Sequence, residues 1–355
     1  MQGAKRDGVR EQRIAKVVEL SPPQTLLGEL PLGSERTKKV IQARDEVRAV
    51  LDGSDQRLMV VVGPCSVHDP KAALDYATRL STLARGLSDR LLIVMRVYFE
   101  KPRTTTGWKG LINDPHLDGS GDVNAGLRIA RKLLLQVVDL GLPVGCEFLD
   151  PITPQYIADT VAWGAIGART AESQTHRQLG SGLSMPIGFK NRTDGNVQVA
   201  VDAVRAAAAS HAFAGIDDAG MPAILHTTGN PDCHIILRGG HGTPNFYPPE
   251  VEDALVTLGV AGLPERLVID ASHDNSSKDP EKQFFAAGEI ADQVADGNKA
   301  IVGAMLESFL VEGRQDLGDG TGLTYGQSIT DACIDWEDTV AALERFASAA
   351  GARSG

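Results

Sequence analysis

LMVVVGP at residues 58–64 runs straight into Cys65, and seven further short apolar runs finish the same way, on a residue with chemistry to offer. LLIVMR (91–96) ends in Arg96 with Lys101 just beyond, PVGCEF (143–148) contains Glu147, and GAIGAR (164–169) ends in Arg169. MPIGFK (185–190) ends in Lys190, CHIILR (233–238) in Arg238, LVIDASH (267–273) in His273, and AIVGAMLE (300–307) in Glu307. Stretches of helical periodicity separate the runs, so strands and helices alternate. Eight such units predict an α/β fold, a (β/α)8 TIM barrel, which carries its active site where the strands finish.

Outward from the runs, Asp69 and Pro70 make a good helix start, and Leu74, Ala77, Leu80, Ala84 and Leu87 supply its apolar stripe. Further helices fit Leu127 to Leu140, Pro154 to Trp163, Glu172 to Leu179, Val197 to Ala209, Pro249 to Leu258, Pro280 to Val294 and Ala332 to Ala347. Eight βα units and a C-terminal closing helix are expected. Ahead of the barrel (55–350), residues 1–54 read as an arm followed by an amphipathic helix from Lys38 to Leu51, with Gly53 as its stop. Residues 210–231 are far longer than an ordinary αβ connection and predict a β-hairpin inserted before the sixth barrel strand.

The 355 residues are 42% hydrophobic and 23% charged, ordinary for a soluble globular protein. A net charge of −11 argues against a nucleic-acid surface, which needs clustered excess cation, so the barrel-mouth cations must act locally in a cleft. Four scattered cysteines without a CxxC pair fit a reducing cytoplasm, and the absence of an apolar leader or spanning stretch leaves no membrane role expected.

Cys65, His273 and Glu307 follow the first, seventh and eighth strands, which closure of the sheet brings to one edge of the mouth. Asp331, read as the start of the last helix, reaches the same corner. A thiolate, an imidazole and two carboxylates suit a divalent first-row metal, Mn, Fe, Co or Zn, better than Mg. Taken singly, each has a plainer role: Cys65 as a small buried hydrophobe, Asp331 as a helix cap, Glu307 as a partner for an arginine.

Arg96, Lys101, Arg169, Lys190 and Arg238 are expected on the side of the mouth away from that corner. Their mutual repulsion calls for a multiply charged anion among them. KPRTTTGWKG (101–110) offers Arg103 and the hydroxyls of Thr104 and Thr105 for a second phosphate, or is merely a solvated basic loop. Trp108 is expected to pack that loop down.

Further motifs join these residues: GPCSVHDP, MRVYFEKPRTTTGWKGLINDP, GCEFLDP, WGAIGARTAESQ, GFKN, HIILRGG, IDASHDNS, MLESFLVEG and YGQSITDAC, in that order from about residue 60 to 335. In them the chain resembles type I 3-deoxy-D-arabino-heptulosonate 7-phosphate (DAHP) synthases, the first enzymes of the shikimate pathway. The resemblance implies a metal on Cys65, His273, Glu307 and Asp331. Phosphoenolpyruvate would be held by Arg96, Lys101, Ala168, Arg169, Lys190 and Arg238, and erythrose 4-phosphate by Lys101, Pro102, Arg103 and Thr104. Lys101 would relay a proton, with Glu147 or His273 orienting water. NRTDG after Lys190 departs from the family's NGTDG, and Arg192 is expected to add a cation beside the pocket.

The resemblance also implies an aromatic amino acid effector bound at Gly182, Leu183, Ser184, Phe213 and Gly215. Gly215 accompanies tyrosine sensitivity in the family, and serine there phenylalanine sensitivity. A homodimer or homotetramer is expected. Two alternatives stay open: a related phosphoenolpyruvate-using sugar-phosphate synthase of a specialised pathway, or a non-catalytic sensor of an aromatic amino acid.

Overall fold

A computed structural model describes residues 12–103 and 105–354. Two helices come first, α1 (Pro23–Glu29) and α2 (Gly33–Asp52). The barrel then begins with β1 (Leu58–Gly63), α3 (Pro70–Gly86), β2 (Leu91–Arg96), α4 (Val123–Asp139), β3 (Val144–Glu147), α5 (Pro154–Ile157) and β4 (Trp163–Ile166). It continues through α6 (Gln174–Gly182), β5 (Ile187–Lys190) and α7 (Gln198–Ala207). After the hairpin strands β6 (Ala212–Ile216) and β7 (Pro222–His226) come β8 (His234–Leu237), α8 (Pro248–Val260), β9 (Leu267–Asp270), α9 (Pro280–Ala295) and β10 (Ile301–Glu307). A short ladder of β11 (Val311–Arg314) and β12 (Gln327–Ser328) precedes α10 (Trp336–Ser354).

The eight barrel strands close in the order β1-β10-β9-β8-β5-β4-β3-β2, all parallel. Closure pairs Gly63 with Glu307, setting the exits of the first and last barrel strands side by side. Gly63 has φ +156°, and a Cβ there would stand 2.5 Å from the Arg96 carbonyl oxygen, so only glycine lets the exits of β1 and β2 approach this closely. Side chains fill the barrel, and Val47, Val50 and Leu51 of α2 pack with Leu92, Trp163, Ile236 and Val268 to plug its base.

The helix starts follow ordinary capping physics. Asp69 accepts from the backbone N–H of Lys71 and Ala72 with Pro70 at the first helical position, and Asp279 with Pro280 repeats the device. Gly53 ends α2 in the left-handed conformation.

Several boundaries differ from expectation; α2, for one, begins at Gly33 rather than Lys38. Helix α5 stops at Ile157 and a 3-10 turn follows to Thr160, because Trp163 pairs with Gly145 as the first residue of β4. The last helix starts at Trp336 rather than Ala332: Cys333 and Gly313 exchange backbone hydrogen bonds, and Ile334 N–H donates to the Glu307 carbonyl, which holds 331–335 extended over the mouth. No separate closing helix follows the eighth unit among the described residues, since α10 is itself the eighth barrel helix and packs on α9 and β1.

The insertion is an antiparallel hairpin outside the barrel, with Ala212 paired to His226. Its root is tied by Ser181 Oγ to Thr227 Oγ1 (2.7 Å) and by Asn230 Nδ2 to three carbonyls of the Gly180–Met185 segment. At its tip, Gln24 N–H of α1 donates to the Asp218 carbonyl (2.8 Å), so hairpin and N-terminal segment meet. Among the described residues, no helix is long and apolar enough to cross a membrane.

Candidate active site

A cleft of about 270 Å3 opens at the strand exits. Arg96, Lys101, Pro102, Glu147, Ala168, Arg169, Lys190, Arg238, His273 and Asp331 all line it, so most of the expected set converges. Cys65 and Glu307 stand deeper, and their ligand atoms and those of Asp331 lie within 4.8 Å of one another.

That trio has the character of a cation site. Lys101 Nζ sits 2.8 Å from Cys65 Sγ and 3.0 Å from Asp331 Oδ2, so the donors hold a positive charge between them. Burial pushes the Cys65 thiol up to about 11, with Glu307 adding to the effect, whereas Lys101 opposes it. A divalent ion would favour the thiolate far more than one ammonium does. Asp331 is held below the usual carboxylate range: burial opposes ionisation, but Lys101, His273 and Lys278 outweigh it. It is no helix cap; its two oxygens face Lys101 and Lys278, the latter at 2.9 Å.

His273 is not within 4.8 Å of the whole trio, though its Nε2 lies 3.6 Å from Glu307 Oε1. It adopts φ +57°, a conformation that costs a non-glycine residue energy and turns the ring inward. Nδ1 is engaged by Ser272 Oγ (2.7 Å) and Asp270 Oδ2 (2.9 Å), leaving Nε2 toward Glu307. Burial lowers its pKa, so the imidazole is neutral and able to coordinate at neutral pH.

Arg96 and Lys101 do not lie across the mouth from Cys65, Glu307 and Asp331. Arg96 Nη2 donates to Glu307 Oε1 (2.8 Å) and to the Cys65 carbonyl (3.1 Å), with the guanidinium 3.7 Å from the centre of the Tyr98 ring. The reason is closure: β2 neighbours β1, which neighbours β10, so the end of β2 borders the corner formed by the other two.

Protein carboxylates also answer the mutual repulsion of the cations. Arg96 pairs with Glu307, Lys190 with Asp270 (3.0 Å), Arg238 with Asp274, and Lys101 with Asp331. Arg169 alone of the five is exposed, and its side chain carries no ion pair or hydrogen bond among the described residues. An anion is therefore accommodated rather than demanded. Arg192 adds nothing to the cleft: it is paired on the surface with Glu172 (2.8 Å) and Asp194 (2.7 Å).

Arg103 is exposed beside Gly107, outside the cleft lining; Thr104 lies outside the described residues. Trp108 is buried and donates to the Asp114 carbonyl, pinning the loop. Glu147 is set by Gly167, where a Cβ would come within 2.9 Å of its Oε1.

Two acids escaped the sequence reading. Asp270 is fully buried and faces both His273 and Lys190; burial opposes its charge, but His273 and then Lys190 hold its pKa well below the usual range. An ionisable residue ending a wholly apolar strand was the available signal. Glu100 is buried beside Asp150, accepting from Leu149 N–H, Asp150 N–H and Thr153 Oγ1, and burial, then Asp150, push it to about 8. It ties the loop bearing Lys101 to the loop after β3.

Near the hairpin, Gly182 ends α6 against Thr227, Ser184 offers its carbonyl to Arg48 Nη2 (3.1 Å), and Leu183 is buried. Phe213 and Gly215 lie on β6 opposite Leu225 and Ala223.

With this geometry in place, the profile of the DAHP synthetase I family matches residues 35–344. The chain belongs to that family. It is 57% identical over 343 residues to the Escherichia coli K12 phospho-2-dehydro-3-deoxyheptonate aldolase named Phe-sensitive, covering 97% of this chain and 98% of that one. The Tyr-sensitive enzyme of the same strain is 51% identical, covering 96% of each chain. The solved phospho-2-dehydro-3-deoxyheptonate aldolase of Francisella tularensis SCHU S4 superposes with a TM-score of 0.94 at 50% identity, covering 96% of this chain and all of that one.

Proposed function

We propose that the cleft joins phosphoenolpyruvate to erythrose 4-phosphate and water, giving DAHP and phosphate, the first step of the shikimate pathway. Its carrying observation is one pocket in which Arg96, Lys101, Arg169, Lys190 and Arg238 adjoin the Cys65, Glu307 and Asp331 donors. C3 of the enol attacks the aldehyde carbon, water adds at C2, and phosphate departs with C–O cleavage.

Arg169, free of any carboxylate, takes the phosphoenolpyruvate phosphate first, and Arg96, Lys190 and Arg238 hold its remaining oxygens from positions already fixed by their acids. Ala168 and Pro102 shape the wall, and Arg103 and Thr104 are assigned to the second phosphate. Lys101 donates the proton to the new alkoxide, and Glu147 or His273 orients the water. The metal site consists of Cys65, His273, Glu307 and Asp331, and its thiolate favours Mn, Fe, Co or Zn. When bound, such an ion supplies Lewis-acid polarisation of the aldehyde oxygen.

Phosphate release from phosphoenolpyruvate with erythrose 4-phosphate, arabinose 5-phosphate or no aldose, before and after chelation, tests the reading. Release only with the four-carbon aldose, lost on chelation and restored by metal, is expected; equal release with arabinose 5-phosphate, or none with either, overturns it.

Feedback by an aromatic amino acid is assigned to Gly182, Leu183, Ser184, Phe213 and Gly215, within a homodimer or homotetramer whose N-terminal segments and hairpins couple the subunits. Tyrosine is favoured because the family resemblance pairs glycine at position 215 with tyrosine sensitivity; Leu225 packs against this glycine so closely that a Cβ there would stand 2.6 Å from its Cδ1, and a larger side chain must displace it. Overall identity points instead to the Phe-sensitive relative. Inhibition by each aromatic acid in wild type and Gly215→Ser decides between them: tyrosine inhibition that the substitution weakens is expected, and no response to tyrosine at about millimolar levels refutes it.

A further inference from the structure

Beneath α2, at the end of the barrel opposite the mouth, lies a cavity of about 590 Å3. Its floor is apolar: Leu91 and Ile93 at the start of β2, Leu142 and Val144 at the start of β3, and Val138 of α4, all buried. Its charged lining is cationic, Lys39, Arg57 and Arg85 against a single carboxylate, Glu46, in a chain of net charge −11.

Glu46 is already taken by Arg57 at 3.0 Å, and Arg57 is shared with Asp55. Lys39 and Arg85 have no carboxylate partner among the described residues. Lys39 Nζ reaches only the carbonyls of Val138 (3.4 Å) and Asp139 (3.1 Å), and Arg85 only the hydroxyls of Ser81 (2.8 Å) and Thr82 (3.2 Å). The wholly buried Arg96 and Arg131 are matched with acids, whereas Lys39 and Arg85 are exposed at the cavity rim without an ion pair. Two rim cations free of ion pairs, beside an apolar floor, favour an anion with an apolar body over a fully hydrated one.

We propose that this cavity binds a small amphipathic monocarboxylate. A ring-sized apolar body rests on the starts of β2 and β3, and the carboxylate is held by Arg85 with Lys39 alongside. The size lies within the range of small-molecule pockets, and a bidentate arginine contact fits the head group. This site is separate from the mouth and from the hairpin region.

The test uses metal-loaded full-length protein saturated with phosphoenolpyruvate and tyrosine, titrated with 4-fluorophenylacetate and followed by 19F line broadening. Saturable binding below about 1 mM is expected, with 4-fluorotoluene at least about tenfold weaker. Arg85→Gln should weaken the acid about tenfold, and Ala84→Phe, which fills the void, should abolish binding; turnover stays at the wild-type level in both. Gln42→Trp, on the exposed rim, blocks the entrance without touching packed residues and repeats the measurement should Ala84→Phe unfold. Absence of saturable binding, a neutral analogue binding as tightly as the acid, or affinity unchanged by both Arg85→Gln and the blocking substitution overturns the proposal.

Discussion

The mouth and the base of the barrel are two ends of the same eight strands, yet they solve opposite problems. At the mouth, strands finish on Arg96, Lys190, Asp270 and Glu307, and each buried charge is answered by another. At the base, strands begin on Leu58, Leu91, Val144, Trp163 and Leu267, and α2 closes them with aliphatic side chains. Two histidines make the contrast concrete. His273 at the mouth is held by Asp270 and Ser272 with one nitrogen left toward Glu307. His234 at the base accepts from Trp163 Nε1 (3.2 Å), and burial pushes it down to about 3, so it is a neutral packing residue. A fully buried histidine signals function only when its surroundings leave a lone pair facing other donors.

The sharpest way to break this contrast is Lys101→Met. Turnover should fall by ~10³-fold or more, as removal of a positioned proton donor implies, while metal content by elemental analysis stays near normal. Metal loss in the variant would instead make Lys101 part of the donor framework. Asp270→Asn removes one partner from a buried group with Lys190 and His273 and should cost about 3–5 kcal/mol in denaturant unfolding. A loss below about 1 kcal/mol would mean that the mouth tolerates an uncompensated Lys190.

At the base, His234→Phe strands the Trp163 donor and should cost about 1–3 kcal/mol of stability while leaving KM for phosphoenolpyruvate unchanged. A changed KM would show that the two ends are coupled. A pH-dependent effect comes from Glu100. A carboxyl raised to about 8 binds its proton more tightly folded than unfolded, so it costs stability as pH rises from its unfolded value, about 4.5, to 8, by up to ~1.4 kcal/mol per pH unit. Glu100→Gln should flatten that slope in urea melts between pH 5 and 8; an unaltered slope would place the proton elsewhere.

How much was legible beforehand follows from what each feature depends on. Strand exits at Cys65, Arg96, Lys190, Arg238 and Glu307 were readable because an apolar run ending in one reactive residue is a local pattern. The hairpin was readable from an overlong connection. Partnerships were not. Arg96 reaches across 211 positions to Glu307, and Lys101 across 230 to Asp331, so which charge meets which depended on the strand order around the closed sheet. Asp331 illustrates the limit: the sequence put it in the mouth at the start of the last helix, whereas backbone bonds with Gly313 and Glu307 hold the residues after it extended, so the helix begins only at Trp336.

The sequence by itself determined the alternation of strands and helices, the barrel it closes into and the reactive residues at its rim, because periodicity, capping and strand polarity act over a few residues. Tertiary structure alone decided that the cations are already matched with acids, that Arg169 is the free one, and that the base holds a cationic cavity. Those outcomes require summing charges over neighbours far apart in the chain, and only folding specifies the neighbours.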